Sequence, residues 1–553
     1  MREATPNTEK TVNLTIDGIP ASVPAGTSIL EAARGVGVVI PTLCDREDLP
    51  KRAVCRLCVV ECDGGGRLKA ACATEVWEGV AVATATPELR RVRKSIVEML
   101  LADHPRDCFV CPRNLNCELQ RLAFELGARE FPSYGKELPP APAVEAGTIA
   151  RDPAKCVKCA RCVAVCREGQ KTGALSASFR SASFQVGPPY GDALQDGACV
   201  FCGRCASVCP VGAITASDRT DALEAALDRT DAVPSAVFAD EVLSGVEASR
   251  ALPPGSLTPL KLSTFLKLRG FRKVYPRALF SAAAAIFKAE TLVKRLKDGS
   301  ALPFISFCSE SSRRFLEIHF PDLLFLVGPS GDPGRLFSLS AKKLLPDGEK
   351  ILAASFSPSL SKKRDALKDE GGPLDFALSV GELTNLVARS GADLGKLAES
   401  PYDPFPLSAP SGAEKDPILL EAAGAIRLLD ARGESGRILE EGGKLGERVP
   451  LEAAIGGRKT NMLLVFGLGA AHDLFTEFRG KPLPWSYLRV VNCPGGCVEG
   501  GGQDPTLVGK RLARGRNVLK TPDPRLAIPP LPHEAAAWDL FRAFKERGGV
   551  FSS

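Results

Sequence analysis

Thr11-Val12-Asn13-Leu14-Thr15-Ile16 alternates polar and apolar residues with the period of a half-buried strand. Asp17-Gly18 supplies a turn and Ala21-Ser22-Val23 returns, which predicts a hairpin. A helix should follow. Thr27 or Ser28 can cap it, Ser28 would place Glu31 at the capping-box position, and Ile29, Ala33 and Val36 can share its buried face. Between residues 88 and 103, Val92, Ile96, Met99 and Leu100 recur at helical spacing, so a second helix is predicted to deliver His104 to its end. Beyond residue 225, helical patterns alternate with short apolar runs such as residues 351–356 and 462–466, which predicts an α/β architecture.

The 553 residues allow about three or four domains. Hydrophobic content of 44% and charged content of 25% are those of an ordinary soluble protein. The formal charge of +6 is a weak lean toward acidic partners and does not imply nucleic acid. No apolar stretch approaches the roughly 18–20 residues of a membrane span, and the first residues are polar rather than an apolar signal core, so a cytoplasmic protein is expected.

Cysteine changes the picture. Of 19 cysteines, 16 lie between residues 44 and 209, in groups two or three residues apart. Disulfides of a secreted protein fit such spacing poorly, and thiolate ligands in a reducing compartment fit it well. The first group is Cys44, Cys55, Cys58 and Cys72, with Cys62 outside the pattern. Four thiols with one close pair suit either a two-iron cluster or a closed tetrahedral zinc site. The second group is His104-x3-Cys108-x2-Cys111-x5-Cys117, four soft or borderline ligands within fourteen residues, suited to iron or zinc. After a proline-rich linker with Pro139, Pro140 and Pro142 comes an internal repeat. Its two runs are Cys156-x2-Cys159-x2-Cys162-x3-Cys166 and Cys199-x2-Cys202-x2-Cys205-x3-Cys209-Pro210, poor matches to zinc-ribbon spacing.

The hairpin, helix and order of Cys44, Cys55, Cys58 and Cys72 resemble the plant-type ferredoxin domain that opens the large iron-sulfur subunit of respiratory complex I and many FeFe-hydrogenases. The resemblance implies a 2Fe-2S cluster there. The run from His104 to Cys117 resembles the one-histidine, three-cysteine 4Fe-4S motif of the same proteins. The duplicated runs resemble bacterial two-cluster ferredoxins, in which the fourth cysteine of each run ligates the other cluster. That implies one 4Fe-4S cluster on Cys156, Cys159, Cys162 and Cys209, and another on Cys199, Cys202, Cys205 and Cys166.

Near the C-terminus, Cys493-Pro494-Gly495-Gly496-Cys497-Val498-Glu499-Gly500-Gly501-Gly502-Gln503 resembles the last signature of the FeFe-hydrogenase catalytic domain, whose two cysteines hold the cubane of the H-cluster. The other signatures depart from the family. Ile305-Ser306-Phe307-Cys308-Ser309 stands where the family has Thr-Ser-Cys-Cys-Pro, keeping the cubane ligand Cys308 and replacing the proton-relaying cysteine with Phe307. Ser357-Pro358-Ser359-Leu360-Ser361-Lys362 stands for Met-Pro-Cys-x-x-Lys, leaving Ser359 at a ligand position and retaining the lysine that contacts a diiron cyanide. The acidic Met-Glu-Glu relay reads Ile286-Phe287-Lys288. A serine hydroxyl is a harder ligand than thiolate, and without relay acids protons lack a route to a buried centre.

The resemblance runs from about residue 11 to about residue 545. The expected fold is multidomain α+β and α/β: a β-grasp 2Fe-2S domain (1–87), a one-His three-Cys 4Fe-4S segment (88–138), a double-cubane ferredoxin domain (139–225) and an FeFe-hydrogenase-like α/β domain (226–553). The expected cofactors are one 2Fe-2S and three 4Fe-4S clusters. A degenerate fourth cubane on Cys308, Cys493 and Cys497 with Ser359 is left open, and no complete H-cluster is expected. No Gly-x-Gly-x-x-Gly loop follows a predicted strand, so nicotinamide and flavin are assigned to another subunit. The function implied is that of an electron-transfer subunit of an NAD(P)H and ferredoxin oxidoreductase complex of the electron-bifurcating type, lacking normal hydrogen turnover. Its expected partners are a flavin- and NAD(P)H-binding subunit, a small 2Fe-2S subunit and ferredoxin. The alternatives are a hydrogenase-like redox or hydrogen sensor and an unusual active FeFe-hydrogenase.

Overall fold

The computed structural model describes residues 11–64, 68–129, 144–179, 184–189, 193–229, 231–328, 332–344, 350–367, 374–405, 417–435, 448–494, 501–502 and 534–546. The proline-rich linker and Cys497 lie outside the described residues.

Thr11–Ile16 pairs antiparallel with Ile19–Pro24 through a two-residue turn in which Asp17 and Gly18 both have positive φ, at 49° and 82°. Such a turn matches the twist of the strands it joins. Ser28 caps the helix Ile29–Gly35 with the full capping box to Glu31. Its buried face is Ile29, Leu30, Ala32 and Ala33, whereas Val36 ends the helix half-buried. With strands 59–62, 69–70 and 81–83 these elements form a mixed five-stranded sheet around one small apolar core.

The helix Pro87–Ala102 forms, but its buried face is not the expected stripe. Leu89, Arg93 and Val97 face inward, Val92, Ile96 and Leu100 are half-buried, and Met99 is 57% exposed. Arg93 causes the rotation. Its guanidinium donates to the carbonyls of Thr84 (2.7 Å) and Val59 (2.6 Å), satisfying buried backbone acceptors of the preceding sheet. A search for apolar periodicity cannot detect a face anchored by a cation.

Among the described residues the C-terminal half holds two four-stranded sheets. One is parallel, in the order 273–274, 233–238, 351–356, 376–378. The other runs 304–307, 487–491, 458–466, 448–455, with only the last pairing antiparallel. The 22-residue helix Arg277–Asp298 shares a core with residues of both sheets and with helices Pro333–Leu344, Pro417–Ser435 and Glu534–Glu546. Helices 241–249, 259–268 and 380–390 cover the outer face of the first sheet. Helices 310–319 and 468–477 cover that of the second. Strands buried on both faces read as near-continuous apolar runs, which is why residues 351–356 and 462–466 were legible. Among the described residues no helix is long and apolar enough to cross a membrane.

Candidate metal centres

Cys44, Cys58 and Cys72 are buried and Cys55 is half-buried. They meet as two pairs, each sharing a side-chain hydrogen bond: Cys44 with Cys55, and Cys58 with Cys72. Ala53 (φ 52°) and Arg56 (φ 59°) take left-handed backbone, and the turn they make brings the Leu57 amide onto the Cys55 sulfur. The hydrogen bond from Cys44, reinforced by such amides, draws the Cys55 thiol down to about 6. That from Cys72 draws Cys58 down to about 7. One thiol of each pair is thus drawn toward thiolate, the ligating form. Cys62 ends the strand Val59–Cys62, and burial pushes its thiol up.

His104 follows the end of helix Pro87–Ala102. Burial lowers its pKa, which favours the neutral imidazole that can ligate. Cys108 is exposed, while Cys111 and Cys117 are half-buried. This segment rests on the following domain. Glu118 N donates to Pro210 O at 3.0 Å, Lys155 pairs with Asp107 at 2.9 Å, and a Cβ on Gly212 would stand 2.8 Å from Cys111 Sγ.

The duplicated runs line two cavities. Cys156, Cys159, Cys162 and Cys209 line one. Cys166, Cys199, Cys202 and Cys205 line the other. The fourth cysteine of each run therefore crosses to the other run's cavity. Each cavity repeats one backbone device: positive φ on both sides of the middle cysteine, at Lys158 and Ala160 around Cys159, and at Phe201 and Gly203 around Cys202. Sequence reasoning missed it, because only Gly203 signals it. Burial and the neighbouring thiols push Cys159 up to about 12, and burial pushes Cys199 up to about 11. Such thiols need a cation to ionise. The donor set suits an iron-sulfur cluster, since soft sulfurs are spread over a cavity. A tetrahedral zinc site instead needs them about 2.3 Å from one point. Among the described residues no three His, Cys, Asp or Glu side chains close on a single point.

Buried arginines at the same place in each repeat tie the sites together. Arg161 forks onto Glu118 (2.7 and 2.9 Å) and reaches Asp45 O (3.1 Å), joining the first cavity to the Cys44 loop and to the helix after Cys117. Arg204 pairs with Asp48 at 3.4 Å. The second cavity abuts the C-terminal domain. Arg314 donates to the carbonyls of Cys199, Gln195 and Gly197, and a Cβ on Gly501 would stand 2.6 Å from the Gly203 backbone. Gln170 bridges Asn492 O (3.1 Å) and Leu468 N (3.0 Å), and Cys202 is near enough to Cys493 for their charges to interact.

At the C-terminal site Cys308 Sγ accepts from Asn492 N at 3.4 Å, and Cys493 is buried. Ser359 Oγ accepts from Lys362 N at 3.5 Å, the role of a cap for helix Leu360–Leu367. Phe307 is buried in an apolar cluster with Val200 and Phe315. Lys362 pairs with Asp332 at 3.2 Å. Lys288, 1% exposed, pairs with Asp430 at 2.7 Å, and Arg489 Nε lies 2.8 Å from the same carboxylate. Burial raises the pKa of Asp430, but Arg489 and Lys288 more than offset it and hold the group below the usual carboxylate range. Lys362 and Arg277 do the same for Asp332. Sequence reasoning missed this network. Its only local signal is a charge amid the apolar residues Ile426 and Leu429.

Residues 234–501 match the model of the iron only hydrogenase large subunit, C-terminal domain, and residues 9–87 that of a 2Fe-2S iron-sulfur cluster binding domain. Residues 93–132 match the NADH-ubiquinone oxidoreductase-G iron-sulfur binding region, and residues 195–215 a 4Fe-4S binding domain. Over 521 residues the chain is 32% identical to the NADP-reducing hydrogenase subunit HndD of Solidesulfovibrio fructosivorans, spanning 89% of this chain and 88% of that protein. It is 30% identical over 257 residues to the mitochondrial NADH-ubiquinone oxidoreductase 78 kDa subunit of Candida albicans, 44% of this chain and 34% of that protein. A variant of apo FeFe-hydrogenase HydA1 from Chlamydomonas reinhardtii aligns over 60% of this chain and 94% of its own, at 18% identity and a TM-score of 0.46. The chain therefore belongs to the iron-only hydrogenase large-subunit family of oxidoreductases, with 2Fe-2S and 4Fe-4S binding domains, similar in part to the NADH-ubiquinone oxidoreductase 78 kDa subunit, preceding its hydrogenase-like domain.

Proposed function

We propose that this chain is the iron-sulfur electron-transfer subunit of a cytoplasmic NAD(P)H and ferredoxin oxidoreductase complex of the electron-bifurcating transhydrogenase type, and that its hydrogenase-like domain does not turn over hydrogen. Iron-sulfur clusters, when bound, supply one-electron chemistry. The residues that would hold them are Cys44, Cys55, Cys58 and Cys72 for a 2Fe-2S cluster, and His104, Cys108, Cys111 and Cys117 for a 4Fe-4S cluster. Two more 4Fe-4S clusters would sit on the crossed sets of the twin cavities. The observation that carries this reading is the continuity of those sites: Arg161 joins the first three, and the second cavity meets the Cys493 region through Gly203 and Gly501. Hydride chemistry belongs to a flavin- and NAD(P)H-binding subunit and a small 2Fe-2S subunit, with ferredoxin as the other redox partner.

Loss of hydrogen turnover rests on residues. Phe307 carries no proton, Ser359 caps a helix, and Lys362 is committed to Asp332. Lys288 stands in place of an acid and is paired with Asp430.

Iron analysis of anaerobically purified full-length protein tests the reading. About 14 Fe per chain correspond to the four N-terminal clusters, about 18 to an added cubane, and about 20 to a complete H-cluster. A value of about 14 or 18 without hydrogen uptake supports the proposal. About 20 Fe, with infrared bands of bound carbonyl and cyanide and hydrogen uptake, overturns it.

A further inference from the structure

The two cavities are built from one repeat and differ beside the fourth cysteine of each run. Each ends in the same short run after its fourth cysteine: Thr172-Gly173-Ala174-Leu175 after Cys166, and Val211-Gly212-Ala213-Ile214 after Cys209. Thr172 lines the second cavity and Val211 the first. Thr172, only 5% exposed, places Oγ1 3.1 Å from Cys166 Sγ and 3.2 Å from the Cys166 carbonyl oxygen. That carbonyl already accepts the amides of Thr172 (3.0 Å) and Gly173 (3.3 Å). A cysteine that ligates does so as thiolate and has no proton to give, so across the 3.1 Å contact the Thr172 hydroxyl is the donor. Val211 has no donor on its side chain, and in its cavity the Cys209 sulfur is met by the backbone amides of Val211 and Ile214 instead.

We propose that Thr172 is a positioning residue that donates its hydroxyl to Cys166 Sγ and raises the reduction potential of the cluster in the second cavity. This rests on the reading that both crossed cysteine sets hold 4Fe-4S clusters. A hydrogen bond to a ligating sulfur stabilises the reduced, more negative state, and such bonds are among the determinants of cluster potential. The step affected is a one-electron transfer from the first cavity to the second. One centre is oxidised and the other reduced by one electron, and no bond or proton changes hands. The hydroxyl favours the reduced state in the cavity that faces Cys493, the end at which the chain meets its hydrogenase-like domain.

The experiment uses full-length, cluster-loaded protein poised with mediators, with each cluster's potential read from its electron paramagnetic signal. Thr172→Val gives the second cavity the residue of the first, and Thr172→Ser keeps the hydroxyl. Thr172→Val is expected to weaken electron acceptance by the second cluster about tenfold, a downward shift of about 59 mV for one electron, while Thr172→Ser retains most of the parent value. Iron content separates the two claims. Parent protein lacking these clusters defeats the ligand assignment itself. Full iron content with an unshifted potential in Thr172→Val overturns only the role of Thr172. If Thr172→Val fails to hold its cluster, the reciprocal Val211→Thr decides: a raised first-cavity potential supports the proposal, and an unchanged one overturns it.

Discussion

The twin ferredoxin cavities and the C-terminal pocket are both buried places where this chain gathers titratable side chains, and they are furnished in opposite ways. Around the cavities four thiols face open space, with buried arginines engaged behind them. Among the described residues of the C-terminal site the chain's own charges pair, Lys288 and Arg489 closing on Asp430, and Lys362 on Asp332. A pocket that must bind a cofactor keeps room and leaves donors uncommitted. Breaking a buried ion pair is expensive because the remaining charge is stranded, so these pairings hold their side chains in place.

The largest effect should come from the cavities. Cys202→Ala should remove about four iron atoms per chain, together with the signal of one cluster, whereas Ser359→Ala should leave the iron content unchanged. Iron analysis of the two variants side by side checks this. An equal loss from Ser359→Ala would show that Ser359 holds iron.

Next is Asp430→Asn, which leaves Lys288 and Arg489 facing a neutral amide. A loss of about 3–5 kcal/mol is expected, read from denaturant unfolding followed by the fluorescence of Trp485 and Trp538, with the N-terminal cluster signals unchanged. For the same reason Lys288→Glu should destabilise the domain by setting two carboxylates against each other, and should not bring back hydrogen uptake.

The pH dependence separates the regions further. Asp332 and Asp430 have lowered native pKa values. Their stabilisation is therefore complete above the unfolded carboxylate value of about 3.9 and fades as pH falls through the lowered native values. Stability of the C-terminal domain should be flat with respect to these two groups from about pH 8 to about pH 5 and decline below about pH 4. A decline already at about pH 6 would show that these acids are not held in the ionised state.

The smallest effect is local. Ser28→Ala removes the capping box of helix Ile29–Gly35 at a cost of about 1 kcal/mol, measurable in the melting of the N-terminal sheet and absent from the C-terminal fluorescence transition.

The hairpin, the capped first helix and the strands at 351–356 and 462–466 were legible because they rest on local periodicity and turn chemistry. The helix after Thr86 was legible as a helix but not in its facing, because a buried arginine displaced the apolar stripe. The crossed cysteine sets could be anticipated from spacing and resemblance. The positive-φ residues beside Cys159 and Cys202 could not, since Lys158, Ala160 and Phe201 carry no signal for that conformation.

By itself the sequence determined which side chains can carry chemistry and the short-range elements that present them, because spacing and periodicity act over a few residues. Tertiary structure decided which cysteines share a cavity, that Arg161 and Arg204 tie the sites together, and that Lys288 meets Asp430. Those partners lie 142 residues apart for Lys288 and Asp430 and 116 for Arg161 and Asp45. Pairing of charges at such separations depends on which surfaces exclude water together, and only the folded arrangement specifies that.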